Sequence, residues 1–513
     1  MDTARQPISP DSSDESSGFA ARVRSAIAWR WGTQIVAQVI AWTSTIMVVR
    51  LLEPTDYGLF AMTQVVLTVL AFLNGYSFAT SLIQAEHVDQ RRIGQVFGLL
   101  LGFNGTLAAI QFIGAPLMAT YYREPLVADM LRIQAVIFLT VPFTALPSSL
   151  LAKRLEFKTQ GKISMAAAIL SALMALSLAW FGFGVWALVY APITGFAFRA
   201  IALTIAARSL VKPVFDFRGA GSLVRFGGAL TICQLFWVVQ SQSDIFIAGR
   251  LLDTHDLGLY AEALFLTLIV TGRFLPPINE VAFPAYAELH RRGESLAPYF
   301  MKTARTVLLV TAPIYFGLAV TAEPAVLTLF GEKWAEMAPF VSGLAVAMPA
   351  MALQIVCSPT TNAMGQPKYY LLSNGAGAVI FPVAFLVAIS SGPIGLVHAW
   401  WVGAPLLLAL TLWLTLPAIG LSFARFAGQL APVLFANGAM VAVVLVSRQF
   451  YEPAFPLSAL LVQGSIGAIT YATILWLLWP HIIKETWAML RQRDASLPAP
   501  GDQTNNSVDP SAA

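Results

Sequence analysis

Residues Arg50–Phe60 read RLLEPTDYGLF, and residues Arg250–Tyr260, 200 positions later, read RLLDTHDLGLY. Six of the eleven positions are identical, and Glu53 with Asp253 and Phe60 with Tyr260 are conservative pairs. Each copy closes an apolar stretch of about 20 residues, long enough to cross a hydrocarbon core of about 30 Å. Six such stretches separate the copies, and an even number returns the chain to the same side of a membrane. The repeat therefore predicts two halves of like orientation, related by an axis along the membrane normal. Within it, Arg50 and Arg250 stand at the end of a helix, where positive charge suits the dipole. Asp56 and Asp256 suit the cap of the next helix, and Gly58 and Gly258 permit a cap or a close backbone approach.

Outward from the repeat, fourteen spans are expected, at 26–48, 58–80, 94–119, 131–152, 163–182, 184–206, 226–249, 258–283, 304–328, 337–358, 371–390, 393–418, 426–447 and 457–480. The turns around Gly182–Gly184 and Ser391–Pro393 are very short, so periodicity alone leaves long re-entrant pairs open there. The expected fold is an all-α integral membrane protein of about 14 transmembrane helices: two parallel six-helix bundles plus two C-terminal helices. It divides into a disordered cytoplasmic tail (1–21), an N-terminal six-helix bundle (22–206), a cytoplasmic amphipathic linker (207–225), a C-terminal six-helix bundle (226–418), helices 13 and 14 (419–485) and a second disordered tail (486–513).

Composition and charge agree. The chain is 57% hydrophobic and 11% charged, against about 25% charged in soluble domains. With the amino terminus in the cytoplasm, 22 of the 31 lysines and arginines fall on the cytoplasmic side and six on the other, while Arg30, Arg199 and Arg273 lie within or near spans. That bias places both termini in the cytoplasm and the protein in a bacterial inner membrane. The same helix-end placement accounts for the net charge of +4 without nucleic acid as a partner. Cys233 and Cys357 both lie in apolar runs and read as small buried hydrophobes, and no metal-ligand spacing occurs. The chain has no GxxxxGK[ST] phosphate loop, so transport energy comes from a partner or from a proton or sodium gradient. No cofactor and no catalytic residue is expected.

Polar residues at bilayer depth are the functional candidates. They are Arg30, Gln34 and Gln38 in the first span, Asn74 in the second, Asn104 and Gln111 in the third, Gln240, Gln242 and Asp244 in the seventh, and Arg273, Asn279 and Glu280 in the eighth. The amides also suit plain helix–helix hydrogen bonding, and Arg30, between Trp29 and Trp31, suits snorkelling to the headgroups. Arg273 sits too deep for easy exit. It calls for a counter-charge, either Asp244, Glu280 or a substrate anion, and its guanidinium fork suits a diphosphate. Asp244 or Glu280 is also suited to carry a coupling proton or sodium. Pro276 with Pro277, Pro313, Gly75, Gly102 and Gly114 mark bend points. His398 reads as a packing or interface group.

The RLLEPTDYGLF string, together with SLIQAEHVDQRR, LLAKRLEFKTQGK, FDFR…RFG, IFIAGRLLDTHDLGLYAEA and VAFPAYAELHRRGE, resembles the prokaryotic polysaccharide transporters over roughly residues 20–485. These are the oligosaccharide-lipid flippases of the multidrug/oligosaccharidyl-lipid/polysaccharide superfamily. The resemblance implies 12 to 14 helices in two bundles and an undecaprenyl-diphosphate-linked oligosaccharide repeat unit as substrate, turned from the cytoplasmic to the periplasmic leaflet. Membrane lipids, a polysaccharide polymerase and other assembly proteins are the implied partners. In related flippases a cationic central cavity receives the diphosphate; this chain departs from that, having few deep basic residues beyond Arg273 and Arg30. Two rival readings are a cation-coupled multidrug exporter of the same superfamily and a non-transporting scaffold of a glycan-assembly complex.

Overall fold

The computed structural model describes residues 40, 43–75, 79, 82, 89–215, 221–450 and 455–481, with backbone only for 221–234 and 367. Among the described residues twelve helices are long and apolar enough to cross a membrane. Each falls on one of the expected spans. Of the two remaining, the seventh is the helix Gly221–Leu251, and the first lies mostly outside the described residues, with its last part, 43–51, helical. In hydrocarbon a backbone must satisfy its own polar groups, which continuous helix does.

In chain order these are α1 (43–51), α2 (Pro54–Phe72), α3 (Gln90–Tyr122), then α4 (Leu126–Gln134), α5 (Val136–Thr140) and α6 (Pro142–Lys153), which together make one span. There follow α7 (Phe157–Trp180), α8 (Trp186–Ala207), α9 (Gly221–Leu251), α10 (Thr254–Arg291), α11 (Ala297–Val320) and the short α12 (Ala322–Leu329). The chain ends in α13 (Ala338–Ala363), α14 (Pro367–Ala388), α15 (Pro393–Ala418), α16 (Phe423–Phe450) and α17 (Pro456–Leu478). The two tight turns join separate antiparallel helices: Gly182 (φ +77°) and Gly184 (φ +54°) between α7 and α8, and Gly392 (φ +75°) between α14 and α15. The first stretch after α8, 209–215, is not helical. It docks on α3, where Val214 N–H donates to the Gly94 carbonyl at 2.9 Å.

The end of the ninth expected span differs from its reading. Residues 322–329 break away as α12, and a 3-10 turn, Glu332–Met337, follows Gly331 (φ +94°). Apolarity alone did not distinguish this short cap from the span it follows. Helices α16 and α17 pack on each other and dock on α11 and α12. Arg448 of α16 donates to the Val320 carbonyl and to Gln463 of α17.

Helices before residue 215 meet those after 221 chiefly through α2, which packs on α10 and α9. The meeting point is the repeat itself. A Cβ on Gly58 would stand 1.9 Å from the Thr254 carbonyl oxygen, and one on Gly258 would stand 1.8 Å from the Pro54 carbonyl oxygen. The contact is reciprocal at the 200-residue offset, so both repeat loops lie on one face, head to head, and glycine is required for the backbones to touch.

At that face one apolar core runs across both parts, from Val48, Tyr57 and Met62 to Ile245, Tyr260 and Trp334. Away from it the packing divides. Val96, Phe97 and Leu146 form a cluster in the first part, while Tyr286, Phe300, Leu353 and Phe426 form another in the second. Helix α3 carries the first of these far from the repeat face, since its 33 residues rise about 50 Å. Among the described residues the two parts are thus welded at the repeat face, and further from it they touch at Phe72 and Trp237, whose rings meet edge-on at 5.2 Å.

Gly58→Val and Gly258→Val should each destabilise the folded protein by about 1–3 kcal/mol, the usual cost of overpacking. Gly102→Ala, where a Cβ meets nothing within 4 Å, should leave the melting temperature in detergent unchanged; equal melting of all three proteins would contradict the crossing.

Candidate functional site

The welded face is held by polar contacts that cross from one part to the other. Arg50 Nε donates to the Leu329 carbonyl at 3.0 Å, and its Nη2 to that of Thr328, at the end of α12. Arg250 donates to the Tyr121 carbonyl at the end of α3, and its guanidinium lies 5.3 Å over the Tyr121 ring. Each repeated arginine therefore caps the C-terminus of a helix in the opposite part, where unsatisfied carbonyls and the dipole favour a cation. Lys333 pairs with Glu53 at 2.6 Å. The fully buried Trp334 donates from Nε1 to the Val49 carbonyl at 3.0 Å and meets Tyr57 edge-on at 5.3 Å.

Two expected roles change. The first acid of each motif, Glu53 or Asp253, occupies the N-cap; Asp253 accepts from Asp256 N–H at 2.8 Å. Asp56 and Asp256 stand three residues further on, and Asp56 accepts from Glu53 N–H at 3.1 Å. The caps shift because each helix starts at residue 54 or 254, earlier than apolarity indicated. Gly58 and Gly258 serve close approach and not a cap, since both lie inside helices.

Beneath this face lies a cavity of about 670 Å³ between α1, α2, α7, α9 and α10. Its polar lining comes from Ser44, Thr45, Tyr57, Gln64, Ser171, Ser241, Gln242 and Glu262, and no described lining residue is basic. A second cavity of about 240 Å³ lies within the second part and is lined by Gln240, Asn279, Gln354, Ser373, Asn374 and Thr411, among others. Gln240 Oε1 would stand 2.1 Å from a Cβ on Gly377, so the bare glycine of α14 makes room for that amide.

The sequence candidates separate. Gln242 joins the larger cavity; Gln240 and Asn279 join the smaller. Asp244 is buried apart from both lining sets. It accepts from Tyr260 Oη at 2.9 Å and from Ile245 N–H at 2.8 Å, and Trp400 Nε1 donates in turn to Tyr260 at 2.9 Å. Arg273 and Glu280 are exposed on α10, and among the described residues neither forms an ion pair. The expected pairing of Arg273 with Asp244 or Glu280 is therefore not formed, because Asp244 points into the second part while Arg273 lies on the open face of α10. Asn104 donates to the Asn74 and Leu100 carbonyls, both at 2.9 Å, and Gln111 to the Leu131 carbonyl at 2.8 Å, so these amides tie helices together. Cys357 is buried, as read, and His398 is exposed beside Trp401. Arg30, Gln34 and Gln38 lie outside the described residues, as does the Cys233 side chain.

Sequence reading missed Glu262, Tyr57, Gln64 and the Lys333–Trp334 clamp. A signal for Glu262 existed: at the 200-residue offset it replaces Met62, an acid in place of an apolar residue two positions past the motif.

The described helices define a many-span membrane fold. The chain belongs to the polysaccharide biosynthesis protein family, whose model matches residues 47–339. Family membership together with the likenesses below supports a transport and not a catalytic role. It is 26% identical over 459 residues to the succinoglycan biosynthesis transport protein ExoT of Rhizobium meliloti (strain 1021), covering 86% of this chain and 90% of that protein. It is 24% identical to the teichuronic acid biosynthesis protein TuaB of Bacillus subtilis (strain 168), covering 63% and 67%. Among solved structures, the inward closed conformation of the lipid II flippase MurJ superposes with a TM-score of 0.72 at 12% identity, covering 88% of this chain and 99% of that one. An inward-facing multidrug transporter of the same superfamily superposes at 0.60 with 13% identity, covering 77% and 98%.

Tyr260→Phe should remove the one side-chain donor to a buried carboxylate and cost about 1–3 kcal/mol. Thermal unfolding in detergent checks this; an unchanged melting temperature would mean that Asp244 finds its partner elsewhere.

Proposed function

We propose that this protein flips an undecaprenyl-diphosphate-linked oligosaccharide repeat unit from the cytoplasmic to the periplasmic leaflet of the bacterial inner membrane, for surface polysaccharide assembly. It works by alternating access between the six-helix bundles 22–206 and 226–418, with 419–485 as an appendage and both termini in the cytoplasm. The welded face is the periplasmic one. The observation that carries this reading is the apolar core: continuous across both parts at the repeat face, divided at the other, with a cavity beneath the closed end. That shape is closed outward and parted inward, as a transporter awaiting a substrate made on the cytoplasmic leaflet requires.

The physical task is to carry a diphosphate and sugar hydroxyls past hydrocarbon, where each unpaired charge or hydroxyl is heavily penalised. No bond is made or broken. The larger cavity has the size of a small-ligand site, so it takes the leading sugars while the polyprenyl tail stays in lipid. Its lining has no described basic residue, which leaves the diphosphate to Arg273. Arg273 follows Glu262 by eleven residues, which at 3.6 residues per turn sets it on the same face of α10, about 16 Å further from the closed end. Glu280 continues that stripe. Arg30, Asn279 and the cavity amides complete the route. A polymerase and other assembly proteins take up the product. The acidic, weakly polar cavity favours one second reading, a cation-coupled multidrug exporter.

In a flippase-null strain, Arg273→Ala should lower surface glycan at least tenfold while lipid-linked units accumulate facing the cytoplasm and the protein stays inserted. Arg273→Lys, which keeps charge but loses the fork, should restore part of it. Normal glycan from the alanine variant would remove Arg273 from the route, and cationic-drug resistance without any glycan would favour the exporter.

A further inference from the structure

The two copies of the repeat meet in near-mirror fashion across the 200-residue offset, so a place where their chemistry differs stands out. Position 62 is methionine, 1% exposed and packed in the common core; position 262 is glutamate, 9% exposed. Ala61 matches Ala261, Gly58 matches Gly258 and Leu59 matches Leu259, while Tyr57, Thr63 and Gln64 correspond to Leu257, Ala263 and Leu264; among these, position 262 is where the second half gains a charge-bearing group. Packing needs an apolar side chain there, and the first half supplies one. A carboxylate in the second half is costly unless it is paired or neutral.

Glu262 is not paired. Its Oε2 is buried and finds no hydrogen-bond partner among the described residues, and the side chain lines the 670 Å³ cavity. The groups facing that cavity are Ser44 and Thr45 from α1, Tyr57 and Gln64 from α2, Ser171 from α7, and Ser241 and Gln242 from α9. Tyr57 is the only other titratable group among the described lining residues, and none of them is cationic. The nearby acids are engaged elsewhere: Asp244 with Tyr260, and Asp56 with the Glu53 amide. Other buried polar atoms without partners belong to amides, hydroxyls and guanidinium groups; among the amides, Asn104 and Gln111 already bond a carbonyl through their nitrogen. Among the described residues Glu262 alone of these is an acid, and it lines a cavity beside the inter-half weld.

We propose that Glu262 is a proton site that sets which way the transporter faces. With the repeat face closed, the carboxylic acid is neutral and fits the site its counterpart Met62 fills. When the Gly58–Gly258 crossing parts, water reaches the buried carboxyl oxygen, the O–H bond breaks, and the proton passes to that water with no electron transferred. The ionised carboxylate then opposes closure until it is protonated again. The closed state therefore binds one more proton than the open one, so low pH favours closure at the repeat face and high pH favours opening. The proposal rests on the alternating-access reading but not on the identity of the cargo.

The test uses the full chain in lipid nanodiscs, with Cys233 and Cys357 replaced by serine and spin labels placed by Asp129→Cys and Ala335→Cys. These exposed positions flank the welded face from opposite halves. Their distance distribution is followed from pH 5 to pH 9, without cargo. The parent protein should lengthen with rising pH, the ratio of long to short distances changing at least tenfold. Glu262→Gln, neutral at every pH, should stay short throughout. Glu262→Met, which installs the residue of the other half, should do the same and covers a failure of the glutamine variant to fold. A pH response kept by both variants would overturn the proposal, as would a parent protein indifferent to pH. So would a Glu262-dependent shift driven by sodium at constant pH, which would make the site a metal-ion site. A proton response that depends on Glu262, in a protein that moves no lipid-linked glycan in cells, would retain the proton site and remove the flippase reading.

Discussion

Two backbones touch where Gly58 and Gly258 cross, and most of the molecule's organisation descends from that contact. Any side chain at either position would collide with a carbonyl oxygen of the other copy. Because the helices approach so closely, Arg50 and Arg250 can each reach across and cap a helix of the opposite half. Among the described residues one apolar core spans both halves there. The cavity lies just beneath that contact.

The weld combines apolar contact with hydrogen bonds to helix ends, and this combination is reversible. Arginine-to-carbonyl contacts at helix termini exchange for water at modest net cost, since a typical intramolecular hydrogen bond contributes only about 0.5–1.5 kcal/mol. The exposed Lys333–Glu53 pair adds little, as exposed ion pairs do. A face held by many small terms, with Trp334 and Tyr57 packed edge-on at its centre, is suited to opening. By contrast, the Asp244–Tyr260–Trp400 chain is buried and saturated within one half. It holds α9, α10 and α15 as one body whatever the weld does.

A TM-score of 0.72 at 12% identity to a lipid II flippase shows how little particular sequence this fold demands. What it needs is a set of apolar helices of span length, tight turns where they reverse, and small residues at the crossing. The family match over residues 47–339 takes in both copies of the repeat and the clamp at Lys333 and Trp334. Those are the elements that join the halves.

The positions of twelve spans were legible in the sequence because hydropathy is local and additive: each of these apolar helices can be read without knowing its neighbours. So was the sharing of one face by both repeat loops, since parity of crossings decides it. Partners were not legible. Which carbonyl Arg50 reaches, that Asp244 meets Tyr260 and Arg273 does not, and that 322–329 leaves its span and ends where Arg50 caps it all depend on how segments pack in space. Glu262 shows the boundary most clearly. Its departure from Met62 stands in the sequence, but its meaning required seeing that no described partner reaches its buried oxygen and that it lines a cavity. Periodicity along a chain specifies which surfaces are apolar; only packing in three dimensions decides which charges are answered and which are left over.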